Sequence, residues 1–100
     1  MDQTTIDSLT HRLINREVSP SSNIVMEQVL QAQMETDYQV ERLKLQAASA
    51  KTAPERMSCN LRVKALKILT ARLQGVCGIN TDIPTNEEVE WARKHFGLQQ

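Results

Sequence analysis

The chain has two cysteines and two histidines, the residue types that most often bind zinc or act as nucleophile and base: Cys59, Cys77, His11 and His95. A zinc site that can be predicted from sequence has ligands at short spacings such as Cys-x-x-Cys or His-x-x-x-His. These four residues are far apart and show neither spacing. A zinc site would have to be assembled by folding alone, and we predict no metal and no cofactor.

The sequence gives little support for nucleophilic catalysis. Neither histidine has an obvious nucleophile near it, and the chain contains no Gly-x-Ser-x-Gly, phosphate-binding loop or dinucleotide-binding motif. Cys77, between Val76 and Gly78, could act as a nucleophile, but a packed thiol is the commoner role of such a cysteine. We therefore predict that the protein is not an enzyme.

The charged residues are segregated along the chain, although the formal net charge is zero. Residues 1–41 carry a net charge of −5, residues 42–77 carry +7, and residues 78–100 carry −2. Zoned charge either folds back on itself or is directed at a partner. We expect the acidic block to neutralise part of the basic block within the molecule or a dimer, which makes nucleic acid a less natural partner.

Basic side chains in the third predicted helix form two groups. Arg56, Lys64 and Lys67 lie on its polar face and could neutralise phosphates, but no aromatic residue is interleaved to stack on bases. Arg62 and Arg72 fall inside its apolar arc, where an unpaired charge is costly. Each must extend to solvent, which is the simplest outcome, pair with a carboxylate, or lie at an interface, where arginine is enriched.

Trp91 and His95 are four residues apart on the last predicted helix, opposite a face formed by Val89, Ala92 and Phe96. If the Val89 face packs on the core, Trp91 is exposed and could anchor a partner. If Trp91 is the core residue, the Val89 face is half exposed instead. Helical periodicity does not choose between these two arrangements.

Composition favours helices as the elements that position these residues. Aromatic residues make up 3% of the chain, and it has three glycines and three prolines, which is unlike a turn-rich β fold. One hundred residues form at most one domain. We predict a single all-α domain over residues 1–100, a small antiparallel bundle of about four helices with a long second helix.

Local signals place the first and third helices. Apolar spacing predicts a first helix from about Thr5 to Arg16, capped by a threonine at its start. A capping box formed by Thr52 and Glu55 predicts the start of a third helix, which continues to about Gly75. This third helix has the widest apolar arc and should form the centre of the core.

The fourth helix has the clearest ends. Thr85 and Glu88 form a second capping box at its start, and Gly97 marks its end. Small residues at 47–53 indicate either a frayed helix end or a hinge before the third helix.

The second predicted helix, from Ser22 or Asn23 to near Ala50, carries two separate apolar stripes. The first stripe is Val25, Val29, Ala32, Thr36, Val40, Leu43 and Ala47. The second stripe is Leu30, Met34, Tyr38 and Leu45. Two stripes need two neighbours: we expect two helices of the same chain to cover both, and the alternative is that a second copy or another protein covers one.

The sequence also bears on the compartment. No apolar run approaches the roughly 20 residues of a membrane span, and the acidic, polar N-terminus is unlike a secretory signal. Two cysteines are too few for a disulfide framework. We expect a cytoplasmic protein that does not act at a membrane.

These features predict a small regulator, adaptor or inhibitor that binds a larger macromolecular assembly, a class that includes phage proteins blocking host nucleic-acid-processing complexes. Its partner would be a protein or a protein–nucleic-acid complex, and homodimerisation through the second helix is compatible with this role. The candidate partner-binding residues are Arg56, Arg62, Lys64, Lys67, Arg72, Trp91 and His95. The alternative is a helical protein that binds nucleic acid directly through the basic third helix.

Overall fold

The computed structural model describes residues 2–98, and within them the chain forms four helices and no strand. The helices are α1 (Gln3–Ile14), α2 (Asn23–Ser49), α3 (Ala53–Val76) and α4 (Asn86–His95). The predicted all-α class and the long second helix are confirmed. No helix within residues 2–98 is both long enough and apolar enough to cross a bilayer.

Helix α1 begins earlier than predicted because an aspartate, rather than a threonine, caps it. Asp2 Oδ1 accepts hydrogen bonds from the Thr5 backbone N–H at 2.9 Å and from the Thr5 hydroxyl at 2.8 Å. These bonds hold the pKa of Asp2 below its ordinary value. The predicted end at Arg16 was wrong: the helix ends at Ile14, and Arg16 has a φ of 60°, which a right-handed helix cannot accommodate.

Helices α3 and α4 begin at the predicted threonines. The Thr52 hydroxyl accepts from Glu55 N–H at 3.3 Å, and the Thr85 hydroxyl accepts from Glu88 N–H at 3.1 Å. In α4 the Glu88 carboxylate also accepts from Thr85 N–H at 3.0 Å, which completes the capping box and lowers the pKa of Glu88. Helix α4 ends shortly before Gly97, whose φ of 67° stops it as predicted.

Helix α3 is the centre of the bundle and packs against α1, α2 and α4. It runs antiparallel to α2, to which the segment 50–52 joins it. A buried hydrogen bond of 2.7 Å links the hydroxyls of Thr36 and Thr70, and the Gln74 side chain donates to that of Gln33. Thr70 is therefore buried on the side of α3 that faces α2.

The core lies where α1, α4 and the N-terminal half of α2 meet the C-terminal half of α3. Its buried residues are Ile6, Leu9, Leu13, Val25, Val29, Ala32, Ala65, Ile68, Leu69, Leu73, Val89 and Ala92. The other halves of α2 and α3 extend as a two-helix arm with few buried residues, which gives the molecule a long dimension of 45 Å. Met57 and Leu61, predicted in the core arc, lie exposed on this arm.

Candidate functional site

The two apolar stripes of α2 lie on opposite sides of the helix and meet different surroundings. The stripe that faces the rest of the chain is buried except for half-buried Leu43. The second stripe faces solvent, with exposed fractions of 62% for Leu30, 72% for Met34, 61% for Tyr38 and 69% for Leu45. We call these four residues the outer face of α2. The expectation that helices of the same chain cover both stripes was wrong.

The outer face is a continuous feature rather than a scatter of single residues. Its members follow one another at intervals of four, four and seven residues, so they form a line about 22 Å long. Single exposed apolar side chains are ordinary, whereas aligned ones that form a patch mark a surface that binds a partner. The outer face is therefore the first candidate interaction surface.

A second surface forms where α3 and α4 meet. The Lys64 ammonium lies 5.0 Å from the centre of the Trp91 ring, and the Arg62 guanidinium lies 5.8 Å from the centre of the Phe96 ring. The His95 ring lies between the other two rings, 5.6 Å from Trp91 and 5.1 Å from Phe96. We call these five residues the cation–aromatic surface, since cations within about 6 Å of a ring are attracted to its face.

The cation–aromatic surface brings together four of the seven predicted partner-binding residues: Arg62, Lys64, Trp91 and His95. Arg62 is exposed, which is the simplest of the outcomes expected for a charge in the apolar arc. Trp91 is half-buried against the core while Val89 is buried, so α4 packs on both sides and each proposed arrangement holds in part.

The other three predicted residues lie elsewhere. Lys67 is exposed one turn from Lys64, and both line a shallow cavity of about 440 Å³ with the loop that precedes α4. Arg56 is exposed on the arm, remote from the cation–aromatic surface. Arg72 is half-buried and engages a carboxylate inside the fold. The basic residues thus do not form one continuous patch.

The neighbouring helix α2 does not neutralise the exposed basic residues of α3. Within residues 2–98 no ion pair joins an acid of α2 to a base of α3, and the ion pairs that do form converge on Asp7. The expected neutralisation of part of the basic block by the acidic block occurs through Asp7 of α1, which pairs with Arg72 of α3, and not through the acids of α2. Glu88 of α4 lies near enough to Lys64 for the ammonium to contribute to its lowered pKa.

Asp7 is the centre of a buried ion cluster that joins three helices. Its Oδ1 lies 3.2 Å from Nη1 of Arg72 on α3 and accepts from Nε of Arg93 on α4 at 3.1 Å. Its Oδ2 also accepts from Arg93 Nε at 3.2 Å and lies 3.9 Å from Nδ1 of His11. Arg72 therefore satisfies its charge by pairing with a carboxylate rather than by extending to solvent.

The cluster contains more positive than negative charge. Asp7 is 6% exposed and Arg93 is 3% exposed, and the Arg93 Nη2 atom is buried with no hydrogen-bond partner in the described part of the chain. Burial is the main reason why the pKa of Arg72 is below its ordinary value; Asp7 opposes this effect, Arg93 adds to it, and Glu90 also opposes it. Two guanidinium groups thus share one hydrogen-bonded carboxylate.

Sequence reasoning missed Asp7 and Arg93. Neither residue was among the predicted partner-binding residues, and Asp7 was counted only as one acid of the −5 block. The available signal was Arg72 itself, because pairing with a carboxylate was one of the three outcomes open to an arginine inside the apolar arc. The signal did not say which acid would supply that carboxylate.

The residues considered for metal binding and catalysis are not brought together. Cys59 and Cys77 are both free and half-buried, and burial raises the pKa of the Cys77 thiol. His11 lies beside the ion cluster, whereas His95 lies on the cation–aromatic surface. In residues 2–98 no group of three or more histidine, cysteine, aspartate or glutamate side chains is placed to hold a metal ion.

Fold and surfaces together define the class of the protein: a four-helix all-α domain whose long second helix presents an uncovered apolar face. Comparisons with protein-family models, with curated proteins and with solved structures find no match to this chain.

Proposed function

We propose that this protein is a non-enzymatic interaction protein that binds another macromolecule through its helical surfaces and regulates or inhibits the assembly it joins. The outer face of α2 is the observation that supports this proposal. Apolar surface in water costs about 25 cal/mol per Å², so a partner that covers the line of four side chains gains that free energy. A second copy of the chain and another protein both qualify as that partner.

The composition of the outer face suits protein recognition. Tyr38 is its aromatic member, and the Arg42 guanidinium lies 5.8 Å from the centre of its ring. Tyrosine and arginine are enriched among residues that dominate binding energy. The free thiols of Cys59 and Cys77 are compatible with the reducing cytoplasm, where we place this function.

Affinity capture from nuclease-treated lysate of the source cell tests the proposal. We expect the wild-type chain to retain a defined protein, and the variant Met34→Gln to retain it about tenfold less, because the substitution puts an amide in an apolar contact. The matched control is Met57→Gln, since Met57 is a similarly exposed methionine on α3. Retention of neither another protein nor a second copy of the chain, or equal retention by both variants, would contradict the proposal.

A second candidate function is direct nucleic-acid binding by the third helix. Arg56, Lys64 and Lys67 are exposed and have no ion pair in the described part of the chain, which favours this alternative. Phosphate binding would make affinity fall steeply with salt, and Lys67→Glu should weaken it, whereas Lys51→Glu, the same charge change outside α3, should have little effect. Fluorescence anisotropy with labelled DNA and RNA at low salt measures this; absence of binding there eliminates the candidate.

A further inference from the structure

The charges that border the outer face of α2 have an ordered arrangement. On one edge Asp37 precedes Lys44 by seven residues, and on the other edge Glu35 precedes Arg42 by seven. Seven residues are two helical turns, so each acid lies about 10 Å from its base along the same edge. On both edges, therefore, the acid is nearer the N-terminus of α2 and the base is nearer its C-terminus.

This arrangement distinguishes between the two ways in which a second copy could pack on the outer face. In a parallel pair the two different edges meet at the same level, so Asp37 would face the partner's Glu35, and Lys44 would face the partner's Arg42. Like charges would then oppose each other at both levels. In an antiparallel pair each edge packs against the same edge of the partner, which runs in the opposite direction. Asp37 then faces the partner's Lys44, and Glu35 faces the partner's Arg42.

We infer that the outer face of α2 binds the same face of a second copy of this chain, with the two helices antiparallel. The inference rests on the proposed function and names its partner. A two-fold axis repeats every contact, so the two edges supply four opposite-charge contacts in one dimer. Charge complementarity of this kind fixes orientation and register more than it adds affinity.

Two of the four apolar residues, Met34 and Leu45, meet each other in the register that the charges set. The charged residues fix the centre of the antiparallel pair. Glu35 and Arg42 are centred between residues 38 and 39, and Asp37 and Lys44 are centred between residues 40 and 41. The pair as a whole is therefore centred between residues 39 and 40. An antiparallel pair centred there places Met34 opposite the partner's Leu45 and Tyr38 opposite the partner's Glu41. The Tyr38 hydroxyl can then donate a hydrogen bond to a carboxylate that would otherwise be buried unpaired.

The outer face stays exposed in the described part of the chain, with exposed fractions of 61–72%. Helices α1 and α4 pack on α3, and the start of α1, at Gln3, borders the edge that carries Glu35 and Arg42. One pair of helices in contact over about 22 Å buries less surface than the roughly 800 Å² per partner of a standard stable interface. We therefore expect a reversible dimer whose population depends on concentration.

Charge exchange combined with sedimentation equilibrium from about 10 μM to about 1 mM tests the inference. We expect the wild-type mass to rise towards that of a dimer across this range. Asp37→Lys and Lys44→Asp should each weaken dimerisation about tenfold, since each creates two like-charge contacts. The double variant should regain the wild-type dissociation constant, because it opposes unlike charges again. Asp82→Lys, the same charge change outside α2, should leave the mass unchanged.

Two results would overturn the inference: a wild-type chain that stays monomeric across the range, or a double variant that dimerises no better than the single ones. Circular dichroism of each variant confirms that the exposed substitutions leave the helices intact. If the chain is monomeric but Met34→Gln still abolishes capture of another protein, the inference fails and the proposed function stands. If Met34→Gln alters neither mass nor capture, both fail.

Discussion

Replacing Asp7 with asparagine is expected to lower the free energy of unfolding by about 3–5 kcal/mol, because it removes the carboxylate that Arg72 and Arg93 share. The substitution keeps the shape of the side chain, so the loss is electrostatic. Arg93 is 3% exposed and cannot be hydrated unless α4 moves away. A loss of this size is a large part of the 5–15 kcal/mol that stabilises a typical domain. Urea denaturation followed by circular dichroism measures it.

Two further variants separate charge from packing. Asp82→Asn removes an exposed carboxylate from the loop before α4 and should change stability by less than about 0.5 kcal/mol. Replacing the cluster together, as Asp7→Leu with Arg72→Met and Arg93→Met, should recover most of the stability, since apolar residues of similar volume often replace buried ion groups without loss. An unchanged unfolding midpoint for Asp7→Asn would show that the carboxylate does not stabilise the cluster.

The helices and their caps could be predicted because their signals are local. The hydroxyl of Thr85 and the carboxylate of Glu88 act within three residues of each other, and the stripe that begins at Val25 repeats with the period of the helix itself. Neither depends on what packs against the helix. The start of α1 was missed because three polar residues, Asp2, Thr4 and Thr5, were all possible caps, and the aspartate makes both hydrogen bonds.

The ion cluster could not be predicted because its members are distant in sequence. Asp7 is 65 residues from Arg72 and 86 residues from Arg93 along the chain. A helical wheel shows that Arg72 needs an acid, but only the packing of three helices selects one. Charge totals also do not show where each side chain lies. Glu27, Asp37 and Glu41 are exposed on α2 and form no ion pair with α3, so the acidic block reaches α3 only through Asp7 in the described part of the chain.

The outer face of α2 is uncovered because of the relative lengths of the helices, and these lengths can be predicted from the sequence only approximately. Helix α2 has 27 residues and is about 40 Å long, whereas α1 and α4 have 12 and 10 residues. Both short helices pack on α3, so no helix remains to cover the second stripe of α2. Periodicity identifies two stripes but does not say how many neighbours the chain can supply.

Removing the same three carbon atoms from a buried and an exposed leucine is expected to give very different losses. Leu73 is fully buried near the C-terminal end of α3, and Leu73→Ala should lower the free energy of unfolding by about 2–5 kcal/mol, through lost burial and the cavity left behind. Leu45 is 69% exposed on the outer face, and Leu45→Ala should cost less than about 0.5 kcal/mol in dilute solution. Urea denaturation at low micromolar concentration measures both; similar losses would contradict the exposed position of the outer face.

The stability losses of Leu45→Ala and Leu73→Ala should depend differently on protein concentration. Binding of a second copy stabilises the folded chain by an amount that grows with the logarithm of its concentration above the dissociation constant. Leu45→Ala weakens the contact that provides this stabilisation, so the stability difference from wild type should widen as protein concentration rises. Leu73→Ala acts within one chain through its cavity, so its loss should stay nearly constant. If the Leu45 difference does not change with concentration, the outer face does not contribute to self-association.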